Sequence, residues 1–144
     1  MPRVDFYVLG EVGTQAQHRY ACKLAEQAFA AGTRMYLRTS SPAESVALDE
    51  LLWTYSDRAF LPHEIAGSAE PSHARVAAVI GTDNAPAGYR ALLINTAADM
   101  PPDAAEFEQI AEVVDADPGR KQLARERFRQ YRERGWTLES HNVT

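Results

Sequence analysis

Hydrophobic and polar positions along the chain predict strand followed by helix, repeated from the first residues onward. "VDFYVL", residues 4–9, combines β-branched and aromatic residues as a strand does. The polar turn "GEVGTQ" separates it from a helical run over 14–31. There Tyr20, Leu24, Ala28 and Ala31 recur at spacings of three and four, while His18, Lys23 and Gln27 fall on other faces. Gly32 is placed to end this helix, because glycine takes the left-handed conformation common just past helix C-termini. "RMYLRT", 34–39, predicts a second strand. Ser41 as N-cap, Pro42 at the first helical position and Glu44 three residues after the cap then start a helix over 42–53, with Val46, Leu48, Leu52 and Trp53 on or beside its apolar side.

"RAFLPHEIAG", 58–67, reads as extended, since Pro62 biases Leu61 away from the helical region. "GSAEPSH", 67–73, reads as a loop. "ARVAAVI" and "YRALLIN" are strands joined by "GTDNAPAG", and they can pair as neighbours. "PDAAEFEQI" has the acidic first turn of a short helix, "IAEVVD" predicts the last central strand, and "DPGR" leads into a basic helix. "WTLESHNVT" at the end is a candidate edge strand or packs back on the body. The alternation points to a two- or three-layer α/β fold with a mostly parallel sheet. No repeat, low-complexity tract or linker divides the chain, so residues 1–144 are expected to form one domain.

A chain of 144 residues buries roughly two thirds of its unfolded surface and needs no disulfide or metal to hold it. No apolar run reaches the length of a membrane span, and "MPRVDFYVLG" lacks the basic lead and cleavage site of a secretory signal; the expected location is the cytoplasm. The one cysteine, Cys22, falls inside a helical pattern and reads as a small core residue.

The opening strand, glycine and helix invite a nucleotide-binding reading, but Gly10 and Gly13 give only GxxG, and no GxxxxGK[ST] occurs. A tight turn explains these glycines, and no cofactor is expected. His18, His63, His73 and His141 are scattered without HExxH spacing or paired cysteines, which argues against zinc. There is no GxSxG elbow. Asp49 with Glu50, or Asp115 with Asp117, are formally acid/base pairs, but acids at turns and caps are commonly just solvated. Nothing in the pattern commits the chain to catalysis.

Charge changes the picture at "GRKQLARERFRQYRERGW", 119–136. Seven of the chain's 15 basic residues lie there against two acids, so on a chain of net charge −5 this segment is strongly positive and the remainder strongly negative. At 100° per residue Lys121, Arg125, Arg129, Arg132 and Phe128 fall within an arc of about 100°. Leu123, Ala124 and Tyr131 lie on the other side, toward the expected sheet. A solvated amphipathic helix is the plain alternative. A one-signed stripe beside an aromatic ring also suits bases of single-stranded DNA, a small anionic metabolite gripped by an α/β enzyme, or a short acidic, hydrophobic peptide. The negative remainder repels a long polyanion and favours the peptide.

"DFYVL", "LDELLW" followed by "FLPHEIAG", and "KQLARERFRQYRERGW", in this order and spacing, resemble the chi subunit family of bacterial DNA polymerase III holoenzyme across nearly the whole chain. The resemblance implies a Rossmann-like α/β domain without a nucleotide-binding loop, and a noncatalytic accessory protein of the clamp loader assembly acting in DNA replication. It implies two partners: the psi subunit, which tethers chi to the clamp loader, and the acidic, phenylalanine-ended C-terminal tail of single-stranded-DNA-binding protein. DNA contact is then mainly indirect. Carried onto this sequence, the tail site is Lys121, Arg125, Phe128, Arg129 and Arg132, with Phe128 standing where family members can carry tyrosine. The psi site is Trp53, Phe60, Pro62 and His63, aromatic anchors beside a proline-restricted segment.

Overall fold

The computed structural model describes residues 2–55, 61–66 and 76–143. In chain order these form β1 (Arg3–Leu9), α1 (Thr14–Ala30), β2 (Met35–Arg38), α2 (Pro42–Thr54), β3 (His63–Ile65), β4 (Ala78–Gly81), β5 (Leu92–Asn95), β6 (Gln109–Val114), α3 (Pro118–Glu133) and β7 (Thr137–Val143). The seven strands make one sheet in the order β3-β4-β2-β5-β6-β1-β7, and every pairing is parallel. This is a Rossmann-like α/β architecture.

Side-chain alternation along the strands divides the core into two layers. Met35, Leu37, Ile80, Ile94 and Val113 pack with Ala21, Cys22 and Ala25 of α1 and Leu48 and Leu52 of α2. Tyr36, Val79, Leu93, Ile110 and Val114 point the opposite way, where Ala124 and Tyr131 of α3 join them. Both faces of the central strands are therefore covered, which is why every residue of β2, β4 and β5 is buried and the strands are apolar up to Arg38 and Asn95 at their C-terminal ends. Of the two layer numbers the pattern allowed, the observed one is three.

The helix signals act locally as predicted. Ser41 Oγ accepts the Glu44 N–H at 3.2 Å, with Pro42 inside the first turn. Gly32 has φ of 77°, and the Thr33 N–H reaches back to the Ala28 carbonyl at 2.9 Å. Cys22 is fully buried, and burial pushes its thiol up to about 12, consistent with a core residue.

Several expectations are corrected. β4 and β5 are not neighbours: they flank β2, which hydrogen-bonds one on each edge. Both run parallel to β2, so the link between them, residues 82–91, is itself a crossover and not a hairpin turn. The acidic segment before β6 makes only a 3-10 turn, Ala104–Glu106, since β6 begins at Gln109 and Asp103 turns its carboxylate to the Ala85 N–H at 3.0 Å. In α1 the buried stripe includes Gln17 and His18, with Tyr20, Leu24 and Ala28 on its border. Gln17 Nε2 donates to the Val113 carbonyl at 2.8 Å, a partner no helical periodicity reveals. In α2, Val46 and Trp53 face outward while Ser45, Leu48 and Leu52 face the sheet. The loop expected at 67–73 lies outside the described residues.

Candidate functional site

α3 starts where Asp117 caps it: its carboxylate accepts the Arg120 N–H at 2.9 Å, and Pro118 occupies the first turn. The helix lies over the sheet face formed by β6, β1 and β7. Between helix and sheet opens a cavity of about 200 Å³ lined by Phe6, Val8, Val114, Lys121, Ala124, Arg125, Phe128 and Ser140. Phe128 forms one wall, its ring centroid 5.3 Å from that of Phe6. The floor is apolar and the polar groups at the rim are chiefly Lys121 and Arg125.

The seven basic residues of this segment divide by environment. Arg120 is structural: its Nε and Nη2 donate to the two oxygens of buried Asp115 at 2.7 and 2.5 Å. Arg127, at about 240° from Lys121 on the same helical arithmetic, is buried on the packing side and pairs with Glu112 at 3.2 Å while donating to the Ala98 carbonyl at 2.6 Å. Arg129 pairs with Glu126, Arg132 sits over the Phe128 ring at 6.0 Å, and Arg134 over Trp136 at 5.2 Å. Among the described residues Lys121, Arg125, Arg132 and Arg134 have no acidic partner, and of these Lys121 and Arg125 line the cavity; Arg125 donates only to the Gln122 amide oxygen at 3.2 Å. The fold thus brings Lys121, Arg125 and Phe128 to one cavity and leaves Arg129 and Arg132 off its rim. Leu123 is a correction: it is exposed, at the far border of a buried arc centred on Arg127, Tyr131 and Ala124.

Phe6, Val8, Val114 and Ser140 were not legible as site residues. They come from three strands distant in sequence, and only the side-by-side pairing of β6, β1 and β7 collects them.

Asp115, at the end of β6, closes the crevice where a Rossmann-like fold commonly holds phosphate. One oxygen accepts the Gly13 N–H at 2.6 Å, at the N-terminus of α1. An internal anion thus occupies that helix end, and Arg120 neutralises it. Burial pushes the Asp115 carboxyl up, but the hydrogen bonds from Arg120 and Gly13 outweigh it and hold the group below its ordinary value of 3.8. A depressed carboxyl pKa stabilises the fold above that ordinary value and loses its contribution as pH falls through the folded value. The melting temperature is therefore expected to fall with acidification below about pH 4, and Asp115→Asn to flatten that fall while lowering stability at pH 7. Thermal melts from pH 7 to 3 check both.

At the other edge of the sheet, Trp53 is 54% exposed at the end of α2 and packs against His63 of β3, centroids 4.5 Å apart. His63 is buried between the Leu61 carbonyl, at 2.7 Å from Nδ1, and Asp49, whose Oδ1 is 3.3 Å from Nε2. Pro62 is half-buried, its carbonyl accepting the Ala77 N–H at 2.8 Å. Exposed Ile65 and Val46 add apolar surface on β3 and α2. Phe60 lies outside the described residues. Trp53 is thus presented outward, whereas His63 and Pro62 shape the ground beneath it.

One histidine, His141, joins two carboxylates in space. His141 of β7 meets Asp5 at 3.0 Å, and the ligand atoms of Asp5, Glu139 and His141 lie within 4.8 Å of one another. Arg3 bonds both carboxylates, to Asp5 at 3.2 Å and to Glu139 at 2.9 Å, so the positive charge in this cluster is a guanidinium of the chain itself.

The family model described as "DNA polymerase III chi subunit, HolC" matches residues 1–139. The DNA polymerase III subunit chi of Pseudomonas aeruginosa is 38% identical over 143 residues, covering 99% of this chain and 98% of its own. The subunit of the same name from Haemophilus influenzae is 34% identical over 141 residues, and that from Escherichia coli 28% over 142, each covering 96% of both chains. The chain belongs to the DNA polymerase III chi subunit family.

Proposed function

We propose that this chi-family chain is a noncatalytic bridge that holds the psi subunit on one edge and the acidic, phenylalanine-ended tail of single-stranded-DNA-binding protein on the α3 face. The observation that carries the tail reading is an apolar cavity of about 200 Å³ with two unneutralised cations at its rim. An apolar cavity of about 150 Å³ accepts a benzene ring, so one phenyl group fits here. Lys121 and Arg125 then take the terminal and acidic carboxylates through charge-assisted bonds. Arg120, Arg127 and Arg129 are paired with acids of the chain, and Arg132 and Arg134 lie over aromatic rings off the cavity; the strongly negative remainder of the chain favours a short peptide over a long polyanion.

Isothermal titration with a peptide of acidic residues ending in phenylalanine is expected to give one site per chain, weakening as salt rises. Deleting the terminal phenylalanine abolishes the heat. Binding of a labelled oligonucleotide equal to that of the peptide would replace this reading with direct DNA binding.

For psi, the support is the outward Trp53 packed on His63 of the edge strand β3, with Ile65 and Val46 also exposed on β3 and α2. Trp53→Ala is expected to weaken the psi complex by about thirtyfold, as for an aromatic anchor. Surface plasmon resonance with immobilised psi measures it, and unchanged dissociation would move the interface elsewhere.

A further inference from the structure

We infer that Gln122 is a positioning residue of the peptide site: it holds the Arg125 guanidinium at the cavity rim without neutralising it, and so decides which arginine of α3 meets an incoming carboxylate. This rests on the acidic-peptide reading above. Two exposed arginines about one turn apart carry the comparison. Arg125 Nη1 donates to the Gln122 amide oxygen at 3.2 Å, and Arg129 Nη2 donates to a Glu126 carboxylate oxygen, in each case on the side chain three positions earlier. Residues at that spacing are neighbours on a helix surface, so the two pairs are built alike. They differ in the acceptor, an amide in one and a carboxylate in the other. Arg125 therefore keeps its charge, whereas that of Arg129 is cancelled beside it.

The amide contributes in two ways. Fixing a long side chain on binding loses conformational entropy. The bond to Gln122 restricts Arg125 before the peptide arrives, which lowers that loss as preorganisation does. The amide also gives way readily. A peptide carboxylate brings an opposite charge and can take the guanidinium as a fork, while exposed Gln122 turns to water and leaves no buried group unpaired. A carboxylate at this position would do the reverse, since it would compete with the peptide for Arg125 and set a like charge near the peptide's acids. Gln122 lies about 60° around the helix from Arg125 and does not line the cavity. It acts through Arg125, not by touching the phenyl ring.

Calorimetric titration of the full chain with the acidic, phenylalanine-ended peptide tests this. Gln122→Glu is expected to weaken binding about fivefold and Gln122→Ala about twofold, with unchanged melting temperatures because these are exposed helix positions. Combining Gln122→Glu with Glu126→Gln keeps composition and net charge and only moves the acid by about one turn. This exchange is also expected to weaken binding about fivefold, because it occupies Arg125 and releases only Arg129, which stands off the cavity. In an Arg125→Ala background Gln122→Glu adds less than about twofold, as a residue acting through Arg125 requires. Gln130→Glu, on the opposite side of α3 from Lys121, carries the same charge change and costs less than about twofold. An exchange variant that binds as tightly as the unaltered chain overturns the inference and leaves the cavity reading standing. So does a Gln122→Glu loss that persists in full without Arg125. Failure of the peptide to bind the unaltered chain, or undiminished binding by Arg125→Ala, removes the underlying reading and this inference with it.

Discussion

Arg125→Ala is expected to weaken binding of the acidic, phenylalanine-ended peptide by about tenfold to a hundredfold, the range of losing a hydrogen bond to a charged group. Arg125 is exposed, lines the cavity and has only the Gln122 amide as a partner, so it is free to turn to an incoming carboxylate. Its removal strips no buried group of a partner, and the melting temperature should hold. Arg129→Ala is the matched control. It removes the same charge from the same helix, but Arg129 is engaged with Glu126 and stands off the cavity, so the expected loss is less than about threefold. Titration of both variants at two salt concentrations separates a formed site from diffuse attraction. Equal losses for the two would mean that only net charge matters, and the two-cation rim would have to be abandoned. Arg125→Lys should fall between, since an ammonium keeps the charge but not the planar fork.

What could be read from the sequence follows the range of the forces involved. The cap of α2 was legible because Ser41 and Glu44 act within one turn, and "DPGR" marked the approach to α3, whose cap the structure assigns to Asp117. The stripe Lys121, Arg125 and Phe128 was legible because helical phase is a local property. Its division into working and structural cations was not. Arg127 lies in the packing arc by the same arithmetic, yet an arginine among charged neighbours reads as solvated until Glu112 is known to be buried beneath it. Glu112 itself is the one polar residue inside "IAEVVD" before its final acid, and in sequence it passes as part of an apolar strand. Strand order, and with it the cavity walls Phe6, Val8, Val114 and Ser140, depends on pairings between residues about a hundred positions apart. In α2 nearly every face is apolar enough to be core, so only the packed structure tells Leu48 and Leu52 from Val46 and Trp53.

The largest expected effect on stability belongs to Arg127. Glu112 is wholly buried and receives the Tyr131 hydroxyl at 2.7 Å, the Asn95 amide at 3.0 Å and the Arg127 guanidinium at 3.2 Å. Arg127→Ala leaves a buried carboxylate with two neutral donors and no opposing charge, a change that costs about 3–5 kcal/mol where buried pairs are broken one-sidedly. Against a typical total of about 5–15 kcal/mol that is a large share, and a fall in melting temperature of about 10 °C or more follows. The cause can be isolated. If the cost is the uncompensated charge, adding Glu112→Gln to Arg127→Ala should recover a good part of the loss, although the truncated side chain still leaves a cavity. If the cost is packing alone, the double variant will be no better than the single, and the pair would carry no special role. Tyr131→Phe should be milder, about 1–3 kcal/mol, since it removes one donor and leaves the charges paired. Because Arg127 and Tyr131 hold the underside of the helix whose outer face carries Lys121 and Arg125, these variants also test the anchoring of the site. Peptide affinity measured well below the melting point should stay near that of the unaltered chain if α3 remains seated, and should fall with Arg127→Ala if this buried pair is what fixes the helix over the cavity.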